Sequence, residues 1–239
     1  MTLLKSILTN LNLMGRTGAS PVTLGASPGV RILPLILLFA LATTHAVAQD
    51  AVYKTDFESA EPGKVPAEIM VHDGGFTVAQ EDGNKFLELP GAPLETFTVL
   101  FGPSARENRL VSARIYGTGK SRRGPAFNVG LNGVGGFKLQ VSASKKTIEL
   151  IKGDSVKTTA PYDWPTGKWT RLSLSLKKVK DGEWKIEGRA WTDGSPEPTA
   201  PTLAFTDTEA PSPGKASTGG SPYSTTPIRF DDLYSGPAQ

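Results

Sequence analysis

Two neighbouring stretches carry the residue types that could do chemistry: "WTRLSLSLK" (169–177) and "WKIEGRAW" (184–191). Lys180-Asp181-Gly182 lies between them and suits a tight turn. Both stretches alternate with period two, so each reads as a strand with two distinct faces. A helix over 184–191 is disfavoured, because Gly188 in a helix interior costs ~1 kcal/mol. One face carries Leu172, Leu174 and Leu176, with Trp184, Ile186, Gly188 and Ala190 across the turn, and reads as core. The other carries Trp169, Arg171, Glu187, Arg189 and Trp191. Arg114 and Tyr116, from the alternating run 109–117, are candidates to join it. Indole rings stack on the apolar face of a pyranose, and Arg and Glu hydrogen-bond its hydroxyls. This face is therefore a candidate sugar platform. The competing reading packs both tryptophans beneath other segments and leaves the charges as surface pairs of little energetic weight.

A second group is acidic. Asp56 and Glu58 lie in the first strand-like run, and Asp231 and Asp232 in the last. If the terminal strands pair, these carboxylates and nearby carbonyls would suit calcium, a hard cation that extracellular modules often bind at millimolar affinity. The alternative is solvated turn acids. On a regular strand Asp231 and Asp232 point to opposite faces, so at most one would be a direct side-chain ligand. His72-Asp73 offers a base that titrates near neutrality, but it stands beside a Gly-Gly turn with no matching serine motif. "KSRRG" (120–124) is a short basic loop that reads as a solvated turn or a contact to an acidic polysaccharide.

The elements that must position these residues are all strands. After position 49 no amphipathic helical pattern of useful length occurs. Alternation is broken every 8–12 residues by Gly, Pro, Asn and Asp, the pattern of an all-β sandwich. The runs are 52–58, 75–80, 85–90, 95–101 (stopped by Gly102-Pro103), 109–117, 125–132, 137–143, 147–151, 154–160, 168–178, 183–192 and 226–236. Residues 193–222 are rich in Pro, Ser, Thr and Gly, with only 202–205 strand-like. They read as a long surface connection inside one domain, 49–239.

Composition narrows the chemistry. The chain has 239 residues and no cysteine, which removes thiol nucleophiles, cysteine-ligated metals and lipoprotein anchoring. Arg31, the apolar run 32–42 and Ala46-Val47-Ala48 form a secretory signal pattern, with cleavage expected before Gln49. The apolar run is shorter than the ~20 residues of a bilayer-spanning helix, so no membrane span is expected in the mature form. The lead before Arg31 reads as an over-extended start, with Val30 the candidate initiator. Lys5, Arg16 and Arg31 are the only charged residues before position 49, and without them 23 basic residues face 23 acidic ones. A neutral mature chain gives no reason to expect a nucleic-acid partner. Its single histidine, His72, leaves little room for triad or histidine-rich metal chemistry.

Several motifs together carry a resemblance. They are Trp169 followed by Leu172 and Leu174; Ala190-Trp191 with Asp193-Gly194 and Glu197-Pro198; the closing Phe230-Asp231-Asp232; and the opening Asp56-Phe57-Glu58. Over roughly 52–235 the chain resembles the concanavalin A-like lectin/glucanase superfamily, in particular its laminin-G-like bacterial jelly rolls. That implies an antiparallel two-sheet sandwich. Such folds host lectins, glycosidases, lyases and adhesion domains. The superfamily's glucanases carry a Glu-x-Asp strand, because retaining hydrolysis needs two carboxylates ~5 Å apart. No Glu-x-Asp occurs in this chain. Glu183 and Glu187 share a face but lie ~13 Å apart along a strand. The expectation is thus an exported, non-catalytic glycan-binding sandwich, with structural calcium. The alternatives are a polysaccharide hydrolase or lyase with an unrecognised site, or an adhesion module of the cell envelope.

Overall fold

Alternating sequence becomes strand wherever one of its faces can be buried, and that is the outcome along nearly the whole described chain. The computed structural model describes residues 51–120, 123–223 and 225–238. The expected signal segment lies outside them. The described residues belong to one compact unit, His45–Gln239, and contain no helix.

The strands are β1 (Tyr53–Thr55), β2 (Met70–Val71), β3 (Thr77–Glu81), β4 (Asn84–Leu89), β5 (Phe97–Ala105), β6 (Arg109–Tyr116), β7 (Ala126–Leu131) and β8 (Phe137–Ser142). They continue with β9 (Thr147–Lys152), β10 (Ser155–Pro161), β11 (Thr170–Lys180), β12 (Glu183–Thr192), β13 (Leu203–Asp207), β14 (Gly214–Ser221) and β15 (Ile228–Pro237). The first sheet has the order β13-β12-β11-β6-β15-β4-β3, with β1 added on β15. The second has the order β10-β9-β8-β7-β14-β5-β2. All pairings are antiparallel.

The inward faces are those the alternation marks. Val111, Ala113 and Ile115 of β6 and Leu172, Leu174 and Leu176 of β11 are essentially inaccessible. They meet Phe127 and Val129 of β7 and Leu139 and Val141 of β8 in one core. Full burial of each of the Val, Leu, Ile and Phe side chains stabilises by ~1.5–3 kcal/mol relative to leaving it in water. Trp184 sits in this core at 6% exposure. A polar tie joins the sheets at one edge, where Lys152 Nζ of β9 lies 2.7 Å from Asp207 Oδ2 of β13.

Two readings of the sequence need correction. Residues 193–222 are not simply a surface connection. They contain β13, as expected over 202–205, but also β14, a buried strand at the centre of the second sheet between β7 and β5. The sequence "GKASTGGS" hid it, lacking alternation and carrying residues depleted in strands. Packing explains the glycines: a Cβ at Gly219 would strike the Phe97 carbonyl, and one at Gly220 the Ala126 carbonyl. In addition, β5 does not stop at Gly102-Pro103 but runs on to Ala105. Gly102 takes a φ of 69°, a conformation open to glycine at little cost.

Candidate functional site

Register assembles the outward face of the first sheet in rows that run across the strands. Trp191 of β12 faces Arg171 of β11, which faces Arg114 of β6, which faces Asp231 of β15. The next row is Arg189, Ser173, Ser112, Tyr234 and, on β1, Lys54. The third is Glu187, Ser175, Leu110 and Gly236. Trp169 and Tyr116 lie at the ring-packed end of the same face. All seven expected platform residues therefore share one face, but the structure divides them into two zones with different chemistry.

The first zone is an ion-pair network over packed rings. Arg171 Nε donates to Asp193 Oδ1 at 2.5 Å and its Nη2 to Asp232 Oδ2 at 2.7 Å. Arg114 donates through Nη2 to Asp231 Oδ2 at 2.5 Å and through Nη1 to Asp193 Oδ2 at 3.3 Å. Asn84 Nδ2 donates to the same Asp231 oxygen at 3.1 Å. The Arg114 guanidinium lies 4.5 Å from the centre of the Trp169 ring. Tyr116 and Phe86 pack on that ring at 5.4 and 6.2 Å. Trp169, Tyr116, Arg114 and Arg171 are thus occupied with one another and with aspartates. Burial would raise the Asp193 carboxyl, but hydrogen bonds and charge from Arg171 and Arg114 outweigh it and hold the group below its ordinary range. For Asp231, only 1% exposed, burial wins over the hydrogen bonds from Arg114 and Asn84, and its pKa is raised.

The four acids proposed for a metal are not gathered at one point. The terminal strands do pair, Thr55 facing Leu233. However, β15 carries a bulge between Asp231 and Tyr234, and Asp232 takes a φ of 48°. The extra residue turns both aspartates toward the arginines, where regular alternation would have sent them to opposite faces. Asp56 Oδ1 accepts the Glu58 amide at 3.1 Å, and Glu58 Oε1 accepts the Lys85 amide at 3.0 Å. Among the described residues no group of three or more His, Asp or Glu side chains is arranged to hold a metal ion.

The second zone is open. A groove of about 340 Å³ is lined by Leu110, Ser175, Lys177, Glu187, Arg189, Glu197, Tyr234 and Pro237. Glu187 and Arg189 were expected here. Leu110, Ser175, Lys177, Tyr234 and Pro237 are not among the expected site residues, and Glu197 entered only through the resemblance. Glu187 Oε1 pairs with Lys185 Nζ at 2.6 Å, and this bond, against burial, holds its carboxyl below the ordinary range. Arg189 lies 3.8 Å from Glu187 and 3.9 Å from Glu197, and Nε donates to the Pro198 carbonyl at 3.1 Å. Trp191 is half-buried and borders this zone from the neighbouring row.

The minor candidates lie away from this face. His72 is exposed, and Asp73 Oδ1 accepts the Thr98 amide at 2.6 Å. Lys120 and Arg123 bridge each other across the basic loop, whose Ser121 and Arg122 lie outside the described residues. On the outward face of the second sheet, Asn128, Gln140 and Glu149 fall in one row. Glu149 there is held by Lys145, Thr147 and Ser142.

The carbohydrate-binding module CBM66 from Bacillus subtilis superposes with a TM-score of 0.51 at 14% identity, over 71% of this chain and 95% of its own. A Bacillus subtilis protein of unknown function with a galectin-like fold gives 0.53 at 13% identity, covering 79% of this chain and 96% of its own. The alginate lyase Aly36B gives 0.51 at 9% identity, covering 80% and 99%. The fold is a two-sheet antiparallel jelly-roll sandwich. No protein-family model matches the sequence, and no curated protein is significantly similar to it. The likeness therefore extends to this jelly roll's architecture, and the chemistry must be read from its own groove. Among the described residues no helix is long and apolar enough to cross a membrane.

Proposed function

We propose that this protein is an exported, non-catalytic carbohydrate-binding module. Its binding site is the open groove on the first sheet. The observation that carries the reading is the groove itself: a sheet-floored hollow of about 340 Å³ in which an aromatic, Tyr234, faces Arg189, Glu187 and Ser175. A sugar needs this mixture, a flat apolar surface for its ring and forked donors and acceptors for its hydroxyls. The neighbouring arginines are already neutralised by aspartates, so the groove's wall is rigid before any ligand arrives.

Glu187 is disfavoured as a catalytic acid on a specific ground. Glycoside hydrolysis needs one carboxyl held protonated near neutrality. Glu187, at the centre of the groove wall, is displaced the other way by Lys185. A glycan array probed with the full chain, with and without calcium, tests the proposal. At least one polysaccharide or oligosaccharide class should be retained, and Arg189→Ala combined with Glu187→Gln should abolish retention without unfolding the protein. An array that captures nothing, or capture unaffected by the double variant, refutes the assignment. Release of reducing ends from a retained polysaccharide would replace binding by hydrolysis.

A further inference from the structure

The groove has a direction, and it says what shape of glycan fits. We infer that the ligand is a linear, uncharged polysaccharide laid across the strands, with Tyr234 as its central stacking platform. The inference rests on the carbohydrate reading above and adds the ligand's length, charge and orientation.

Continuity is the first support. The outward positions Arg189, Ser173, Ser112, Tyr234 and Lys54 follow one another over five adjacent strands, β12, β11, β6, β15 and β1. Adjacent strands lie ~4.8 Å apart, so the row extends over ~19 Å. A single sugar ring occupies only part of that length; a chain of several units fills it. At its middle Ser112 is half-buried, with a hydroxyl able to donate and to accept, and Ser173 is buried beside it.

The position of Tyr234 is the second. It borders the groove of about 340 Å³ on one side. On the other it borders a separate hollow of about 330 Å³ over Lys54, Asp56 and Asp232. A residue shared by two hollows is the ridge between them, and an aromatic ridge is where a continuous chain would stack. Gly236 sets the ring's posture. A Cβ at that position would collide with the Tyr234 ring and hydroxyl, so the side chain lies along its own strand over the glycine. A ring lowered in this way leaves the floor passable from one hollow to the other.

Charge is the third. In the groove, basic Lys177 and Arg189 balance acidic Glu187 and Glu197. Glu187 is also answered by Lys185, and Asp232 by Arg171. Among the described residues Lys177 and Lys54 stand in no ion pair, but acidic Glu197 shares the first hollow and acidic Asp56 the second, so the row offers a polyuronate no excess of cations. A neutral, hydroxyl-rich chain needs none.

Calorimetric titration of the full chain tests this. The probes are cello-, laminari-, manno- and xylo-oligosaccharides from disaccharide to hexasaccharide, with oligogalacturonates beside them. One neutral series should bind, with Kd falling by about tenfold or more as the chain lengthens. Tyr234→Ala and Gly236→Ala should each weaken the hexasaccharide by about tenfold, a typical aromatic contribution, whereas Tyr234→Phe should keep most of the affinity. If Gly236→Ala misfolds, the two tyrosine variants still decide. Binding without length dependence, or undiminished binding by Tyr234→Ala, overturns the inference and leaves the carbohydrate reading intact. Preference for oligogalacturonates overturns the charge argument in the same way. If the parent protein binds no oligosaccharide, the carbohydrate reading fails, and this inference fails with it.

Discussion

The two tryptophans of β12 should respond to truncation in opposite ways. Trp184 is 6% exposed, faces Lys178 and Asp207 in register, and donates its indole N–H to Glu107 Oε2 at 2.6 Å. Removing a buried tryptophan side chain costs ~3–5 kcal/mol through lost transfer energy and the cavity left behind. The bond to a charged acceptor places this site toward the upper part of that range. For a folded unit of this size each kcal/mol lowers the melting temperature by ~2–4 °C. Trp184→Ala should therefore melt ~8–20 °C below the parent. Trp184→Phe keeps most of the apolar body and loses the hydrogen bond, so its loss should be a minor fraction of that. Trp191 is seven residues on, half-buried, on the face of Glu187 and Arg189. Its truncation opens no internal cavity and should cost no more than ~1 kcal/mol. Circular-dichroism melts of the three variants and the parent, in one buffer, make the comparison. Equal losses for Trp184→Ala and Trp191→Ala would falsify the division of β12 into a buried and an outward face.

Acid should weaken the fold through the paired aspartates. Burial opposes ionisation of Asp193 and Asp207, but Arg171 with Arg114, and Lys152, outweigh it and hold both pKa values low. The unfolded chain then binds more protons, so this stabilisation is full above the ordinary aspartate pKa and lost as pH falls through the folded-state values. The melting temperature should drop below about pH 4, and Asp207→Asn should flatten the drop. A melt that does not change between about pH 5 and pH 3 contradicts the pairing. Arg171 and Arg114 already engage Asp232 and Asp231, so melts in chelator and in millimolar calcium should coincide. A rise with calcium, which for saturating binding to the folded state alone reaches ~2.7 kcal/mol at a hundredfold excess, would return those acids to a cation. Ala216→Asp places an unpaired charge in the core beneath β14, at a site 2% exposed, and should abolish cooperative folding. A soluble variant with a native melt would mean that β14 is not an interior strand.

Period-two alternation was enough to establish the class of fold. The chemical identity of each outward residue and the split of β11 and β12 into core and polar faces also follow from sequence, because a strand's side-chain direction is a local property. The partners of those residues are not local. Arg114 and Asp231 are far apart in the chain and meet only because β6 and β15 are neighbours in the first sheet. The two aspartates point the same way because one inserted residue at 232 breaks the alternation, which no pattern of residue types announces. Tyr234 looked like part of a closing strand, and it became the ridge between two hollows when β1 and β6 were set on either side of it. Strand β14 could not be read at all, since its glycines are required by neighbouring backbone and not by any preference of their own. Local chemistry chose the faces of this protein; the order of strands in the sheets, a long-range property, chose which faces meet and left the hollows beside Tyr234 open.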